Sequence, residues 1–277
     1  MAATTTTTLD DLFVNIIAQA RFTAEEQSLM MGLVTQYNIA GQAGTTVQVP
    51  KYPAIAAANL TESADMSSTT VSTSSVTVSV GEVGAQVLLT DMATYGAGNP
   101  AAELGTILGN SIATKIDKDL IALFDGFSAT LGGAGTELTA ADIFKAAATL
   151  RANKVRGPIN AVIHPYQAYQ LKANLTNTFA NPNGGDIQNE AMRSGYVGTL
   201  AGVNIYESAN LTVDGSDDTK GAVFAPEALA IAIKKDFNLA PQRDESLRAW
   251  ELNAVATYGV GELDDAYGVE MLFDAAL

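Results

Sequence analysis

Between Asn99 and Phe127 the chain alternates apolar and polar positions with the period of an α-helix. Leu104, Ile107, Leu108, Ile112, Ile116, Leu120, Leu123 and Phe124 recur at spacings of three and four. Lys115, Asp117, Lys118 and Asp119 interrupt any continuous apolar run, so the stretch predicts an amphipathic rod and excludes a bilayer span. Its start is marked by Asn99 as a cap, Pro100 at the first helical position and Glu103 where the helix dipole favours negative charge. At about 1.5 Å per residue such a rod is roughly 40 Å long, the width of a small domain, and other elements are expected to dock along it. It is called the spine below.

Upstream, Leu9, Leu12, Phe13, Ile16 and Ile17 share one face of a short predicted helix, after a low-complexity run from Thr4 to Thr8. A second helix is predicted from Thr23, with Leu29, Met30, Leu33 and Val34 facing inward. These helices precede any domain core and read as an arm that needs a partner surface. From Thr45 the period changes to two: TTVQVPKYP alternates, and TTVSTSSVTVSVGEVGAQVLLT alternates again through Val71, Val76, Val78 and Val80. The connecting AIAAANLTESADMSS is small and polar. A long two-stranded loop of this composition buries too little surface to hold itself together and should lie on something else.

After the spine and a glycine-rich connection, Thr139 is placed to cap a helix carrying Ile143, Phe144, Ala147 and Leu150. INAVIHP then reads as a buried strand, PYQAYQLKANL as a helix, and GTLAGVNIYES, GAVFAP and ALAIAIKKD as strands separated by the acidic turn DGSDDTKG. The last stretch, SLRAWELNAVATYGVGELDDAYGVEMLFDA, predicts two long strands joined at Leu263 to Ala266, with Tyr258 and Tyr267 paired across a hairpin. Packing these terminal strands against the spine would make that domain discontinuous.

Composition narrows the function classes. The chain has 277 residues, 47% of them hydrophobic, enough for a real core. Its 15 basic and 30 acidic residues give a net charge of −15, which opposes general binding to nucleic acid or anionic membrane. There is no cysteine, hence no disulfide, thiolate metal site or cysteine nucleophile. The N-terminus MAATTTTTLDD lacks a basic region followed by an apolar one, and a protein made without Sec export is expected.

The candidate chemistry is thin. The one histidine, His164, ends a strand and has no second histidine or cysteine with which to share a metal. LGGAGTEL lacks the Gly-Lys-Ser/Thr ending of a phosphate cradle. Asp214, Asp217 and Asp218 lack the ligand order and closing glutamate of a calcium loop and read as a solvated acidic turn. Asp264 and Asp265 read as a hairpin tip in water, where neither pKa would be raised for acid catalysis. There is no Gly-x-Ser-x-Gly elbow. Trp250, alternating with Leu252, is expected to be a core anchor. No enzyme, cofactor or metal is expected.

The order of parts is arm, long β-loop, spine, α/β region and terminal strands, and it resembles the major capsid proteins of tailed bacteriophages, the Hong Kong 97 fold. TVQVPKYPAIAAANLTESADM resembles that family's outgoing loop strand and tip, and VSVGEVGAQVLLTDMATYG its return. AVIHPYQAYQL, GTLAGVNIYESANL, GAVFAPEALAIAIKKD and ATYGVGELDDAYGVEML resemble successive landmarks of its axial and peripheral domains. The resemblance implies an α+β chain with an N-terminal arm over 1–44, an extended loop over 45–95 and a peripheral domain with the spine over 96–138. It places an axial α/β domain over 139–232 and the remaining peripheral strands over 233–277. The implied function is self-assembly into an icosahedral shell enclosing double-stranded DNA, built in the host bacterial cytoplasm and located in the virion.

Implied partners are other copies of the chain in hexamers and pentamers, a separate scaffolding protein, a portal, a decoration or cement protein, and DNA held only loosely on the inner face, with no membrane. Intersubunit contacts are expected at Lys51, Tyr52, Asn59, Glu62 and Asp65 of the loop and at Leu12, Phe13 and Ile16 of the arm. Some family members weld subunits through a loop lysine, yet no lysine occurs between Tyr52 and Thr114, so a non-covalent shell is expected. Some members carry a long N-terminal scaffolding segment; here the arm begins almost at once, so a separate scaffold or prior cleavage is expected, and Met1 favours the separate scaffold. The alternatives are an encapsulin-type cellular compartment of the same fold, a surface-layer or tail protein forming sheets or tubes, and a carboxylate-dependent hydrolase.

Overall fold

The computed structural model describes residues 28–92 apart from 54, 58, 61, 63, 64, 66, 67 and 69, together with residues 101–179 and 198–276. The spine is α1, Ala101–Ile121, continued by a 3-10 turn over Ala122–Gly126. Its inward stripe is Leu108, Ile112, Ile116 and Leu120, extended by Phe124, all buried. Four-residue spacing on a helix of 3.6 residues per turn keeps these side chains on one face. Ile107 departs from the expectation: it sits one position off the stripe and is 56% exposed. The start marked by Asn99 and Pro100 lies outside the described residues, as does the predicted helix over 9–17.

The spine lies against a four-stranded sheet of order β1-β10-β11-β4. Here β1 is Thr35–Asn38, β4 Gly81–Thr90, β10 Leu229–Asp244 and β11 Ala249–Glu262. β10 and β11 form a long antiparallel hairpin, β4 pairs antiparallel with β11, and β1 runs parallel to β10. Inward residues alternate along β11 (Leu252, Ala254, Ala256 and Tyr258) while intervening ones are part-exposed, as a sheet covered on one face requires.

The helix predicted from Thr23 differs in its described part. Met30–Gly32 is a single 3-10 turn followed by β1, although Met30, Leu33 and Val34 are buried as expected. The β-branched Val34 and Thr35 suit the strand that parallel pairing with β10 offers.

The second sheet has the order β5-β12-β9-β6-β8-β7. These are Thr130–Gly132 (β5), Ile159–Ile163 (β6), Thr199–Leu200 (β7), Val203–Glu207 (β8), Asp218–Phe224 (β9) and Gly268–Asp274 (β12). Helices α2, Ala140–Ala152, and α3, Pro165–Phe179, accompany it. α2 opens with a reciprocal Thr139–Asp142 capping box. Ile143, Ala147 and Leu150 point inward, but Phe144 is 48% exposed, contrary to expectation, because it lies off the stripe those three define. β6 is buried at every position, as a central strand covered on both faces should be.

The predicted terminal hairpin is corrected. β11 and β12 do not pair with each other: β11 lies between β10 and β4, while β12 lies between β5 and β9. Tyr258 is opposite Ile233 on one side and Gly81 on the other, so it does not face Tyr267 across a hairpin. Sequential strands that both alternate cannot be told apart as partners or as members of two sheets by period alone. β9 ties the two cores together, since Phe224 and Ala222 face the spine core and the intervening Val223 faces the α2–α3 core.

Candidate intersubunit surfaces

The loop begins as a hairpin of β2, Thr46–Lys51, with β3, Ser74–Ser79, in a register running from Thr46 opposite Ser79 to Lys51 opposite Ser74. The alternation through Val71 had suggested strand further out, but Val71 lies beyond β3 and is exposed. The return strand β4 leaves this hairpin and joins β11 instead.

The base of the hairpin is anchored by close approach. A Cβ at Gly259 would lie 2.1 Å from the Ser79 carbonyl oxygen, and one at Gly261 would lie 2.9 Å from Val78 Cγ2. Only glycine lets β11 and the loop base touch in this way, and Val78 is 1% exposed as a result. Lys234 Nζ donates to the Gly44 carbonyl, and Lys51 Nζ lies 2.7 Å from Asp264 Oδ1. Asp264 and Asp265 are therefore not a tip standing free in water, since Asp265 also accepts from the Ser128 amide at 2.7 Å. Burial, with Asp265 and Asp264 adding repulsion, pushes the Glu262 carboxyl up, and Lys51 pulls it back.

Beyond Lys51 the loop leaves the body. Tyr52, Ile55 and Leu60 are 68%, 57% and 66% exposed, and the predicted contact residues Asn59, Glu62 and Asp65 are exposed with them. Lys51 itself is held at the base by Asp264, whereas Tyr52 onward carries apolar surface that the described residues leave exposed. Leu12, Phe13 and Ile16 lie outside the described residues.

The arm's exit was not legible as a site. Asp117 is 1% exposed and accepts four hydrogen bonds: from Ser28 Oγ (2.9 Å) and the Met30 amide (3.1 Å) on Oδ1, and from the Leu29 amide (3.2 Å) and Asn210 Nδ2 (3.3 Å) on Oδ2. Burial pushes its pKa up, against the pull of those donors. In sequence Asp117 read as a polar interruption of the spine. The usable signal was its four-residue spacing from Ala113 and Ile121, which puts it on a buried face.

The remaining constellations are structural. His164 is buried, its pKa held down by that burial, and its Nδ1 accepts from the Tyr166 amide at 3.3 Å. Asp214 accepts from the backbone of Ser216 and Asp218, which hold its carboxyl below the usual range. Asp218 is no solvated turn residue: it is 3% exposed and accepts from the Gly135 amide at 2.7 Å. Trp250 packs part-buried against the spine core with the Arg243 guanidinium 5.5 Å above its ring. Among the described residues no group of metal-ligating side chains occurs, and no helix is long and apolar enough to cross a membrane.

A family model described as "Phage capsid protein" matches residues 73–270, from the residue before β3 to the third residue of β12. The chain belongs to the phage capsid protein family. This capsid protein has the Hong Kong 97 fold, and solved structures share it at low sequence identity. The capsid of cyanophage P-SCSP1u matches with a TM-score of 0.68 at 16% identity over 88% of this chain and 87% of that one. The acid-stable capsid of Helicobacter pylori bacteriophage KHP30 matches at 0.70 and 12% identity over 89% and 91%. A virus-like particle from Pyrococcus furiosus matches at 0.63 and 11% identity over 94% and 98%. No curated protein matches the chain in sequence. The capsid protein is a structural component of the virion shell and not an enzyme, and building that shell entails association of its copies with one another.

Proposed function

We propose that this capsid protein is the major capsid subunit of a tailed bacteriophage, and that its copies close as hexamers and pentamers into an icosahedral shell around double-stranded DNA. The observation that carries the proposal is the loop beyond Lys51, whose Tyr52, Ile55 and Leu60 stand in solvent in a chain of the phage capsid family. Laid over an adjacent subunit, those side chains leave water, and many modest contacts repeated by symmetry make a strong wall. Lys51, Tyr52, Asn59, Glu62 and Asp65 are the loop's contact residues in this reading, and Leu12, Phe13 and Ile16 those of the arm.

The functional partition follows the same reading: arm 1–44, extended loop 45–95, peripheral domain 96–138 with 233–277, and axial domain 139–232. The shell is non-covalent, because the loop between Tyr52 and Thr114 has no lysine. A separate scaffolding protein, a portal and an outer cement protein complete the assembly. The excess of acidic residues leaves the wall with little grip on the genome, which a tight affinity of empty shells for duplex DNA at physiological salt would refute.

Electron microscopy of the purified protein, with and without a candidate scaffold, tests the proposal: closed particles are expected, and sheets or tubes would overturn it. The encapsulin-type compartment of the same fold is the second reading, and a virus-like particle from Pyrococcus furiosus shares the fold over nearly the whole of both chains. Capture of a cargo peptide by particles that neither bind a portal nor package DNA would select it.

A further inference from the structure

Asp117 is a buried carboxylate with no cation against it among the described residues. Its neighbours four residues away on the spine, Ala113 and Ile121, are buried and apolar, and among the described residues its partners are hydrogen-bond donors with no cation. Such a group is costly unless hydrogen bonds saturate it. Here each oxygen takes two. Three of the four donors belong to the consecutive residues Ser28, Leu29 and Met30, whose amides open the 3-10 turn at Met30–Gly32. The carboxylate therefore caps that turn from outside, where free amides favour negative charge. The fourth donor, Asn210, comes from the connection between β8 and β9. One side chain thus fastens together the spine, the segment from Ser28 to Met30 and the connection between two strands of the second sheet.

Two consecutive backbone amides held by the two oxygens of one carboxylate fix an orientation as well as a position. An apolar residue at 117 would continue the buried stripe but leave both amides unpaired. We propose that Asp117 is the positioning residue that sets the direction in which the N-terminal arm leaves the subunit, and so which face of a neighbouring subunit the arm can reach. This rests on the shell-forming reading above. Leu12 and Ile16, expected contact residues of the arm, lie 16 and 12 positions before Ser28, so a change of direction at the root is multiplied along the intervening chain.

The test compares Asp117→Asn, Ser28→Ala and Asn210→Ala with the unaltered full chain. Chymotrypsin cleavage after Leu29, mapped by mass spectrometry on the free subunit, reads the root of the arm, and cleavage after Leu171 in the second core reports general loosening. Asp117→Asn is expected to speed cleavage at Leu29 about tenfold with Leu171 unchanged, to leave the circular dichroism intact, and to cut the yield of closed particles of native diameter about tenfold. Ser28→Ala, which removes one donor, is expected to show the same two effects at about threefold. If Asp117→Asn does not fold, Ser28→Ala and Asn210→Ala carry the test. Parallel acceleration at Leu29 and Leu171, or native particles formed in full yield from subunits with a loosened root, would overturn the proposal. If the unaltered chain itself forms no closed particle, the shell reading fails, while the cleavage ratio on free subunits still decides whether Asp117 holds the root.

Discussion

Arg243 grips Asp91 through two parallel hydrogen bonds, Nη1 to Oδ1 at 2.7 Å and Nη2 to Oδ2 at 2.9 Å. The pair clamps the far end of β10 to the point where the chain leaves β4, and the guanidinium also lies over the Trp250 ring. Planar, two-pronged recognition of this kind is available to arginine and not to lysine. The hydrogen bond from Arg243 holds the Asp91 carboxyl below its ordinary value of 3.8. A depressed carboxylate stabilises the fold above its unfolded-state pKa and loses that contribution as pH falls through its folded-state value. The difference in thermal midpoint between the unaltered chain and Arg243→Gln is therefore expected to stay constant from neutrality to about pH 4 and to shrink on further acidification. A difference that grows below pH 4 would contradict the clamp.

Gly259→Ala is expected to unseat the base of the loop. Its new Cβ would meet backbone, the Ser79 carbonyl oxygen at 2.1 Å, which cannot rotate away as a flexible side chain could. A cost of about 1–3 kcal/mol is expected, measured as a thermal midpoint lower by several degrees and faster amide exchange at Val78. Gly32→Ala, where a Cβ meets nothing within 4 Å, is the matched control with little effect.

The spine stripe predicts a sharp contrast between two large apolar residues near opposite ends of the rod, Phe124 and Ile107. Phe124 is fully buried, with its ring 5.5 Å from that of Phe224 and 6.4 Å from that of Phe127. Phe124→Ala is expected to cost about 3–5 kcal/mol in denaturant unfolding, and the exposed Ile107→Ala within about 0.5 kcal/mol.

These residues also mark what the sequence could reveal. The spine was legible because four-residue spacing persists from Leu108 through Phe124, and the capped start of α2 because Thr139 and Asp142 form a local motif. Ile107 and Phe144 were misjudged because a list of apolar positions does not say where a stripe is widest. The partners of β11 and β12 were misjudged because alternation reports which face is buried and not which strand lies alongside. The loop's dependence on neighbours was legible from its thin composition, but the glycines seating it, Gly259 and Gly261, act across about 180 positions of chain and carry no local signal. For Asp117 the spacing from Ala113 and Ile121 pointed to a buried face, but its donors at Ser28, Leu29, Met30 and Asn210 are remote in sequence and so its role was not legible.

Lys51 separates a fold contact from an assembly contact. Its bridge to Asp264 joins side chains that are 49% and 23% exposed, and such a pair is worth at most about 1 kcal/mol. Lys51→Gln is expected to leave the unfolding midpoint of the free subunit within a few degrees while lowering particle yield, because it frees the loop at its root. An unchanged yield would remove Lys51 from the contact set.

A capsid protein with no lysine between Tyr52 and Thr114, and so none at the loop tip, is expected to run as a single band when particles are dissolved in hot detergent. A ladder of covalent multimers on the same gel would show a cross-link made by other residues.

The central claim is that the loop beyond Lys51 is completed by a sister subunit. It is tested most directly by mapping protease cleavage within residues 52–73 on free subunits and on assembled particles of the same preparation. Rapid cleavage in the free subunit and protection of about tenfold or more in particles is the predicted result. Equal protection in a subunit that remains alone in solution would contradict it.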